Sequence, residues 1–409
     1  MMRVVVLLLA LVLTVAGEKE CHVAHHSRGS DAGPAINAAF RKCARNGKIT
    51  LDKFYTVNSL LFTTDLSNVE IELIGSINFT PNIAKWSPES YFLEYQNATT
   101  FWFLSGSHIC MHGGGTINGN GQVWWDALST NGQDAGTAGG SSRTFARPIP
   151  LTVGNSSHVE IEDINFVGSP FWNNFVYQSD HVTYKKIIID SVSYSSAPAA
   201  NSDGWDIYRS SDVVITESWI NNDDDCVSFK PNSTNVEVSH LFCNGSHGIS
   251  VGSLGQYAGE TDIVANVTVF NVTLENAQNG ARIKAFGGSP DPNSTAGGGT
   301  GSASNITFRD FKVINVDNPI VINQCYSTPA DVCAQFPSGI IISDVHYIDV
   351  TGTSSGADGS VIVDIECSSQ CSNVTAYGTD ITSPNGPATF ICQDVDTAQL
   401  DFNCTSPKS

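Results

Sequence analysis

Three carboxylates and one imidazole fall at a spacing that would bring them together. Asp203, Asp225 and His247 stand 22 residues apart in two equal steps, and Asp224 adjoins Asp225. Carboxylates held side by side repel, so one keeps its proton at a pH where its neighbour has lost it. Such a site holds an acid and a base at once, which is what acid–base hydrolysis requires. Arg282 and Lys284 are two apart, hence on one face of a strand. A cation pair beside acidic groups suits a substrate carboxylate, with the Arg fork binding it bidentately. The plainer alternatives are scattered surface polar residues for the first set and a surface ion pair for the second.

Asp224 and Asp225 raise a geometric problem. In a regular strand they would point to opposite faces, and burying one charge in the interior would cost several kcal/mol. Both reach one cleft only if the strand ends or bulges there. Asp223 is read as solvated. An Asp-Asp-Asp run also admits calcium, but EF-hand spacing is absent and no nearby Glu completes a loop. No metal or other cofactor is expected.

Equal spacing implies a coil, and the strands repeat accordingly. Val159-Glu160-Ile161 recurs as Val182-Thr183-Tyr184, Val213-Val214-Ile215, Val236-Glu237-Val238 and Val267-Thr268-Val269. Ile306-Thr307-Phe308, Ile340-Ile341-Ile342 and Val374-Thr375-Ala376 follow, with first-residue intervals of 23, 31, 23, 31, 39, 34 and 34. A base near 23 with insertions is the signature of a solenoid whose turns carry loops. A sandwich would space strands at about 8–12 residues. The reading is all-β: one right-handed parallel β-helix over residues 18–409, with inward Val and Ile stripes and outward polar ladders. The one convincing helix spans residues 33–46, where Pro34 suits a first helical position and Asn46-Gly47 supplies a stop; standing before the first strand, it is expected to be a short N-terminal helix capping the exposed end of the coil. Gly280-Ala281 is small enough to let a ligand approach. Residues 131–142 read as a flexible Gly/Ser/Thr-rich loop.

Composition bounds the function classes. Of 409 residues, 40 are acidic and 20 basic, for a formal charge of −20, which disfavours a nucleic-acid partner. Residues 1–17 read as a secretory signal peptide, with Arg3 before an apolar run too short to span a bilayer. A soluble, extracellular monomer without a membrane segment is expected. Eleven cysteines fit an oxidising compartment. The natural local pairs are Cys21 with Cys43, Cys226 with Cys243, Cys325 with Cys333, Cys367 with Cys371, and Cys392 with Cys404, leaving Cys110 a buried free thiol. Sequons at Asn78, Asn97, Asn155, Asn232, Asn244, Asn266, Asn271, Asn293, Asn305, Asn373 and Asn403 predict a glycoprotein.

The motifs also carry a resemblance. Asn201-Ser202-Asp203, Asp224-Asp225-Cys226, Gly245-Ser246-His247-Gly248 and Arg282-Ile283-Lys284 resemble, in order and spacing, the four signature motifs of the polygalacturonase family, glycoside hydrolase family 28. The likeness extends to residues 113–125 and 319–326 and weakens near the C-terminus. It implies a right-handed parallel β-helix that hydrolyses α-1,4-linked galacturonic acid in pectic polysaccharide, with inversion. Residue by residue, it implies that Asp224 protonates the leaving oxygen and that Asp203 and Asp225 activate water. His247 would tune the acid. Arg282 and Lys284 would hold a substrate carboxylate, Tyr326 would line the sugar subsite, and Asn201 joins the substrate-binding set. Ser202 stands where Thr is commoner and Ser246 where Gly is commoner. The stretch from Asn244 to Gly255 is closer to exo-acting, fungal-type members, which implies release of galacturonic acid from the non-reducing end. Endo-polygalacturonase, xylogalacturonan hydrolase and rhamnogalacturonan hydrolase remain alternatives on the same scaffold. More distant ones are a pectate lyase and a non-catalytic sugar-binding β-helix. An inverting pair needs a gap of about 6.5–9.5 Å, available if Asp224 turns away from the other two acids.

Overall fold

In the 27-stranded main sheet each strand pairs in parallel with a strand one turn away, and the turns build a parallel β-helix; a small three-stranded sheet beside it includes an antiparallel pair, Tyr91–Phe92 with Thr99–Thr100. The computed structural model describes residues 19–24, 29–130, 145–367 and 371–406. The expected signal peptide and the expected 131–142 loop lie outside the described residues.

One ladder carries the acidic motifs. Its strands are β1 (Leu151–Gly154), β2 (Asn174–Tyr177), β3 (Trp205–Tyr208), β4 (Val227–Phe229), β5 (Ile249–Leu254), β6 (Asn279–Phe286) and β7 (Asn318–Tyr326), paired in that order. Alternate residues face in: Val176, Ile207, Phe229, Val251 and Ile283 stack in register and are buried. Each contributes about 1.5–3 kcal/mol by leaving water. A one-residue slip would turn the whole row outward, so register is firmly set. The outward residues form two rows. Asp206, Ser228, Ser250 and Arg282 make one. Tyr208, Lys230, Gly252 and Lys284 stand one row over, two residues further along each strand.

A second ladder stacks Val159, Val182, Val213, Val236, Val267, Ile306, Val345 and Val374. Seven of these match the repeat read from the sequence. The eighth is a correction: Val345, not Ile340, follows Ile306. Ile340 is instead the second residue of a 16-residue strand, Gly339–Ser354, whose first part pairs with residues 300–303. Alternating apolar residues along so long a strand do not mark which of them continues the stack.

The turn entering this ladder holds a left-handed residue on successive coils, including His108, His158, His181, Asp212, Asn235, Asn266, Asn305, Asp344 and Asn373, with φ between 49° and 58°. Asn, Asp and His tolerate that conformation best. In Asn266-Val267-Thr268, Asn305-Ile306-Thr307 and Asn373-Val374-Thr375 the Asn makes the turn, the apolar residue faces in and the Thr faces out. The fold therefore writes the sequon pattern for its own reasons. None of the eleven sequon asparagines is buried.

Helix α1 covers Gly33–Lys42, with Ile36 and Phe40 buried against the first turns. It stops short of the expected end because Arg45–Leu51 is already a strand. A short strand, Lys19–His22, precedes it and pairs with Arg45–Leu51, so the helix does not stand before the first strand. Three short helices were not foreseen: α2 (Ile83–Glu89), α3 (Gln122–Thr130) and α4 (Ala330–Gln335). All five expected disulfides are formed. Cys110 is the free cysteine among the described residues, but it is half-buried rather than buried. No helix of the described residues is long and apolar enough to cross a membrane.

Candidate active site

Asp203, Asp225 and His247 each lie two residues before a strand: β3, β4 and β5 start at Trp205, Val227 and Ile249. The 22-residue step therefore stacks them at one edge of the ladder. The chain is not a strand at 224 or 225, so strand alternation does not send the adjacent carboxylates to opposite faces, and both meet Asp203. Asn222 holds this loop by donating to the carbonyls of Ser202, Asp224 and Asp225 at 2.9, 3.0 and 3.1 Å. His247 N donates to the Asp224 carbonyl at 2.7 Å. Gly248, at φ +95°, passes so close to the next turn that an added Cβ would lie 2.4 Å from the Asn279 carbonyl oxygen. Gly280 has a similar role. Its missing side chain makes room for the Pro319 carbonyl at 2.1 Å, not for a ligand.

The side chains divide by burial and partner. Asp225 is enclosed: Arg282 Nη2 lies 2.6 Å from Oδ1, Lys284 Nζ 2.7 Å from Oδ2, and Ser250 Oγ donates to Oδ1 at 2.8 Å. Burial pushes its carboxyl up, but Lys284 and Arg282 overcome this and hold it well below the usual range. Asp203 is buried as well. Burial, with Asp206 and Asp224 nearby, raises its carboxyl well above the usual range. Asp224 is the most accessible of the three, with 15% of its side chain exposed. His247 Nδ1 lies 3.1 Å from its Oδ1, and Asn201 Nδ2 donates to its Oδ2 at 3.1 Å. Burial raises Asp224, and the imidazole outweighs burial to bring it down to about 2. His247 is raised in turn: burial opposes its charge, but Asp224 sustains it. Asp223 is half-buried rather than solvated, and burial raises it.

Asp203, Asp224 and Asp225 each bring an oxygen within 4.8 Å of the other two. Asp224 does not turn away, so its nearest oxygens stand closer than the separation of an ordinary inverting pair. Tyr326 is half-buried at the end of β7, its ring centroid 5.6 Å from Lys284 Nζ. All eight expected site residues thus form one connected group. The Asn244 amide instead joins an outward ladder, donating to Asn221 Oδ1 at 2.8 Å and accepting from Asn276 at 3.0 Å.

A family model described as Glycosyl hydrolases family 28 matches residues 46–404. The chain belongs to that family. Exopolygalacturonase X-1 of Emericella nidulans is 43% identical over 397 residues, covering 95% of this chain and 89% of its own length. The probable exopolygalacturonase X of Aspergillus fumigatus is 43% identical over 394 residues, covering 94% and 89%. Among solved structures, the endo-xylogalacturonan hydrolase of Aspergillus tubingensis superposes with a TM-score of 0.84 at 30% identity, over 95% of this chain and 100% of that one. The exopolygalacturonase of Thermotoga maritima, at 17% identity, TM-score 0.67 and coverage of 89% and 88%, shares the fold.

This family 28 glycoside hydrolase has site features that motif reading missed. Arg147, buried and remote in sequence, donates from Nη2 to Asn201 Oδ1 at 2.6 Å and from Nη1 to the Ala200 and Pro170 carbonyls at 2.7 and 3.1 Å. It fixes which way the Asn201 amide points, and so which Asn201 atom faces Asp224. Asp206 and Lys230 form a buried ion pair at 2.9 Å on the cleft floor. Burial raises Asp206 to about 7 against the pull of Lys230. The third feature is a wall. Residues 91–100 pack on outward aromatic residues of β2 and β3, where Tyr95 stacks on Tyr208 with centroids 4.0 Å apart. Trp172, Phe175, Tyr177 and Phe103 complete the cluster. Gln96 Nε2 donates to Gln256 Oε1 at 2.9 Å, tying this segment to the loop after β5. Both glutamines are buried.

His158, Asp180 and His181 form a second group of possible metal ligands. His158 and His181 line the outer groove of the second ladder, with His108 and Cys110 and without the acidic motifs, while Asp180 lines a separate depression.

Proposed function

We propose that this enzyme is an exo-polygalacturonase that removes terminal galacturonic acid from de-esterified pectic polysaccharide by an acid–base mechanism, inverting on the strength of the family resemblance rather than of the carboxylate spacing. The observation that carries the exo mode is the aromatic wall. A polymer lying along the acids meets Tyr95, Tyr208 and the Gln96–Gln256 bridge on one side, so only a chain end fits there. The 43% identity to Exopolygalacturonase X-1 supports the same reading.

In this mechanism Asp224, the most accessible carboxyl, donates to the leaving oxygen. At rest its proton resides on His247, 3.1 Å away. An entering substrate carboxylate adds negative charge and excludes water, both of which raise Asp224 and draw that proton across. Asp225, held ionised by Arg282 and Lys284, acts with Asp203 on the water. Arg282 and Lys284 retain one net positive charge after pairing with Asp225, enough for one substrate carboxylate. Secretion, following removal of residues 1–17, and a single catalytic unit over 18–409 complete the proposal.

The test is product chromatography on long pectate at early times. Monomer alone is expected. A ladder of oligomers would sink the exo mode and favour an endo activity, and an ultraviolet-absorbing product would indicate a lyase.

A further inference from the structure

Resting on the exo-polygalacturonase reading, we propose that Lys230 binds the carboxylate of the terminal galacturonosyl residue and makes that charge a requirement for cleavage. A polyanion threading an acidic cleft needs a cation wherever a carboxylate comes to rest. Arg282 and Lys284 lie one turn beyond His247, and both close on Asp225. Toward the wall, on the turn between Tyr208 and Gly252, the floor offers Lys230.

Its surroundings fit an anionic sugar. Nζ lies 2.9 Å from Asp206 Oδ1 and 5.2 Å from the Trp172 ring centroid. Tyr95, the tip of the wall, stacks on Tyr208 beside it. Trp172, Tyr95 and Tyr208 are buried against one another, so they back the cation, and the ammonium is the group a galacturonosyl carboxylate would meet. The Lys230 side chain is 7% exposed, equal to Lys284 at 7% and close to Arg282 at 10%, so it is no less reachable than the motif cations. The next position in its row is Gly252, so no side chain intrudes between Lys230 and Lys284. An added Cβ there would lie 2.3 Å from the Lys284 carbonyl oxygen. Asp206, Asp203 and Asp225 all face Lys230 and favour its charge; burial raises Asp206 to about 7, so Asp206 holds that charge less firmly in mildly acid medium.

The alternative is that Lys230 only neutralises Asp206 and Asp203. Two trigalacturonates separate the roles, one with its non-reducing terminal carboxylate free and one with that carboxylate methyl-esterified. The wild type is expected to favour the free acid in kcat/KM by roughly 10–100-fold, the loss typical of one charged hydrogen bond. Lys230→Met should bring the ratio to within about threefold of one, mainly through the free-acid substrate, and Lys230→Arg should restore part of it. An unchanged ratio in Lys230→Met, or no preference in the wild type, would overturn the assignment. Should Lys230→Met not fold, competition on the wild type decides: galacturonate inhibits and galactose does not, whereas equal inhibition by both overturns it. An oligomer ladder from long pectate would overturn the exo reading and this assignment together. Monomer release with an unchanged ratio would overturn this assignment alone.

Discussion

Asp224→Asn tests the division of labour among three carboxylates that share one small volume. The substitution keeps the shape, and its amide oxygen can still accept from Asp225 N, which donates to Asp224 Oδ1 at 2.8 Å. What is lost is the proton. General acid catalysis contributes about 10²–10⁴-fold, so kcat on trigalacturonate should fall by that factor with little change in KM. The site charges sharpen the test. In the free enzyme it is Asp203, not Asp224, whose carboxyl is raised, so Asp203 is the rival acid. An aryl α-galacturonide distinguishes them, because its phenolate leaves without protonation. On that substrate Asp224→Asn should recover to within about tenfold of wild type, while Asp203→Asn stays impaired on both. The opposite pattern, rescue of Asp203→Asn alone, would refute the assignment and make Asp203 the acid. A second readout is His247. Asp224 is the main group that raises its pKa against burial, so in Asp224→Asn the imidazole should titrate below its ordinary value in a proton NMR titration.

Arg147 should act through Asn201. Arg147→Lys cannot hold the Asn201, Ala200 and Pro170 acceptors with a planar fork, so kcat is expected to fall by roughly 10-fold or more with a shifted pH profile and little change in KM. An unchanged profile would leave Arg147 a structural residue. Gln96→Ala unties the wall, and it should let oligomers appear among the early products of long pectate; strict monomer release would mean that the bridge does not set the mode. Stability should fall as pH rises. Asp206 at about 7, and Asp262 and Asp364 at about 6, are all raised by burial, so each binds its proton more tightly folded than unfolded. Their contribution is full below about pH 4 and is lost on climbing to about pH 7, and raised His247 works the same way at its higher window. The Tm should therefore drop by several degrees across that interval, less so in Asp206→Asn, and a rising Tm would contradict it. Proton NMR of the first product anomer tests inversion, which the close packing of the acids makes worth measuring.

The 22-residue step was legible because a β-helix converts sequence period into spatial adjacency. Asp203, Asp225 and His247 needed only that step to be placed together. The same step, applied three and five residues further along, would also have found the floor. Tyr208, Lys230 and Gly252 are 22 apart, and so are Asp206, Ser228 and Ser250. These residues lie outside the four signature motifs, so the motifs alone do not mark them. The repeat failed at Ile340 for a physical reason: two adjacent stretches of one long strand were both apolar, and register between them is set by pairing rather than by composition. Arg147 and the Gln96–Gln256 bridge had no periodic signal at all. Gln96 meets a residue 160 positions away, across loops that belong to different turns. The core and catalytic row follow from the repeat, because every turn must bury its Val or Ile and present the next residue outward. Whether the cleft is open or closed is decided by insertions that escape the repeat. A family of such coils can therefore keep one set of acids and change its mode of attack on a polymer by altering loops alone.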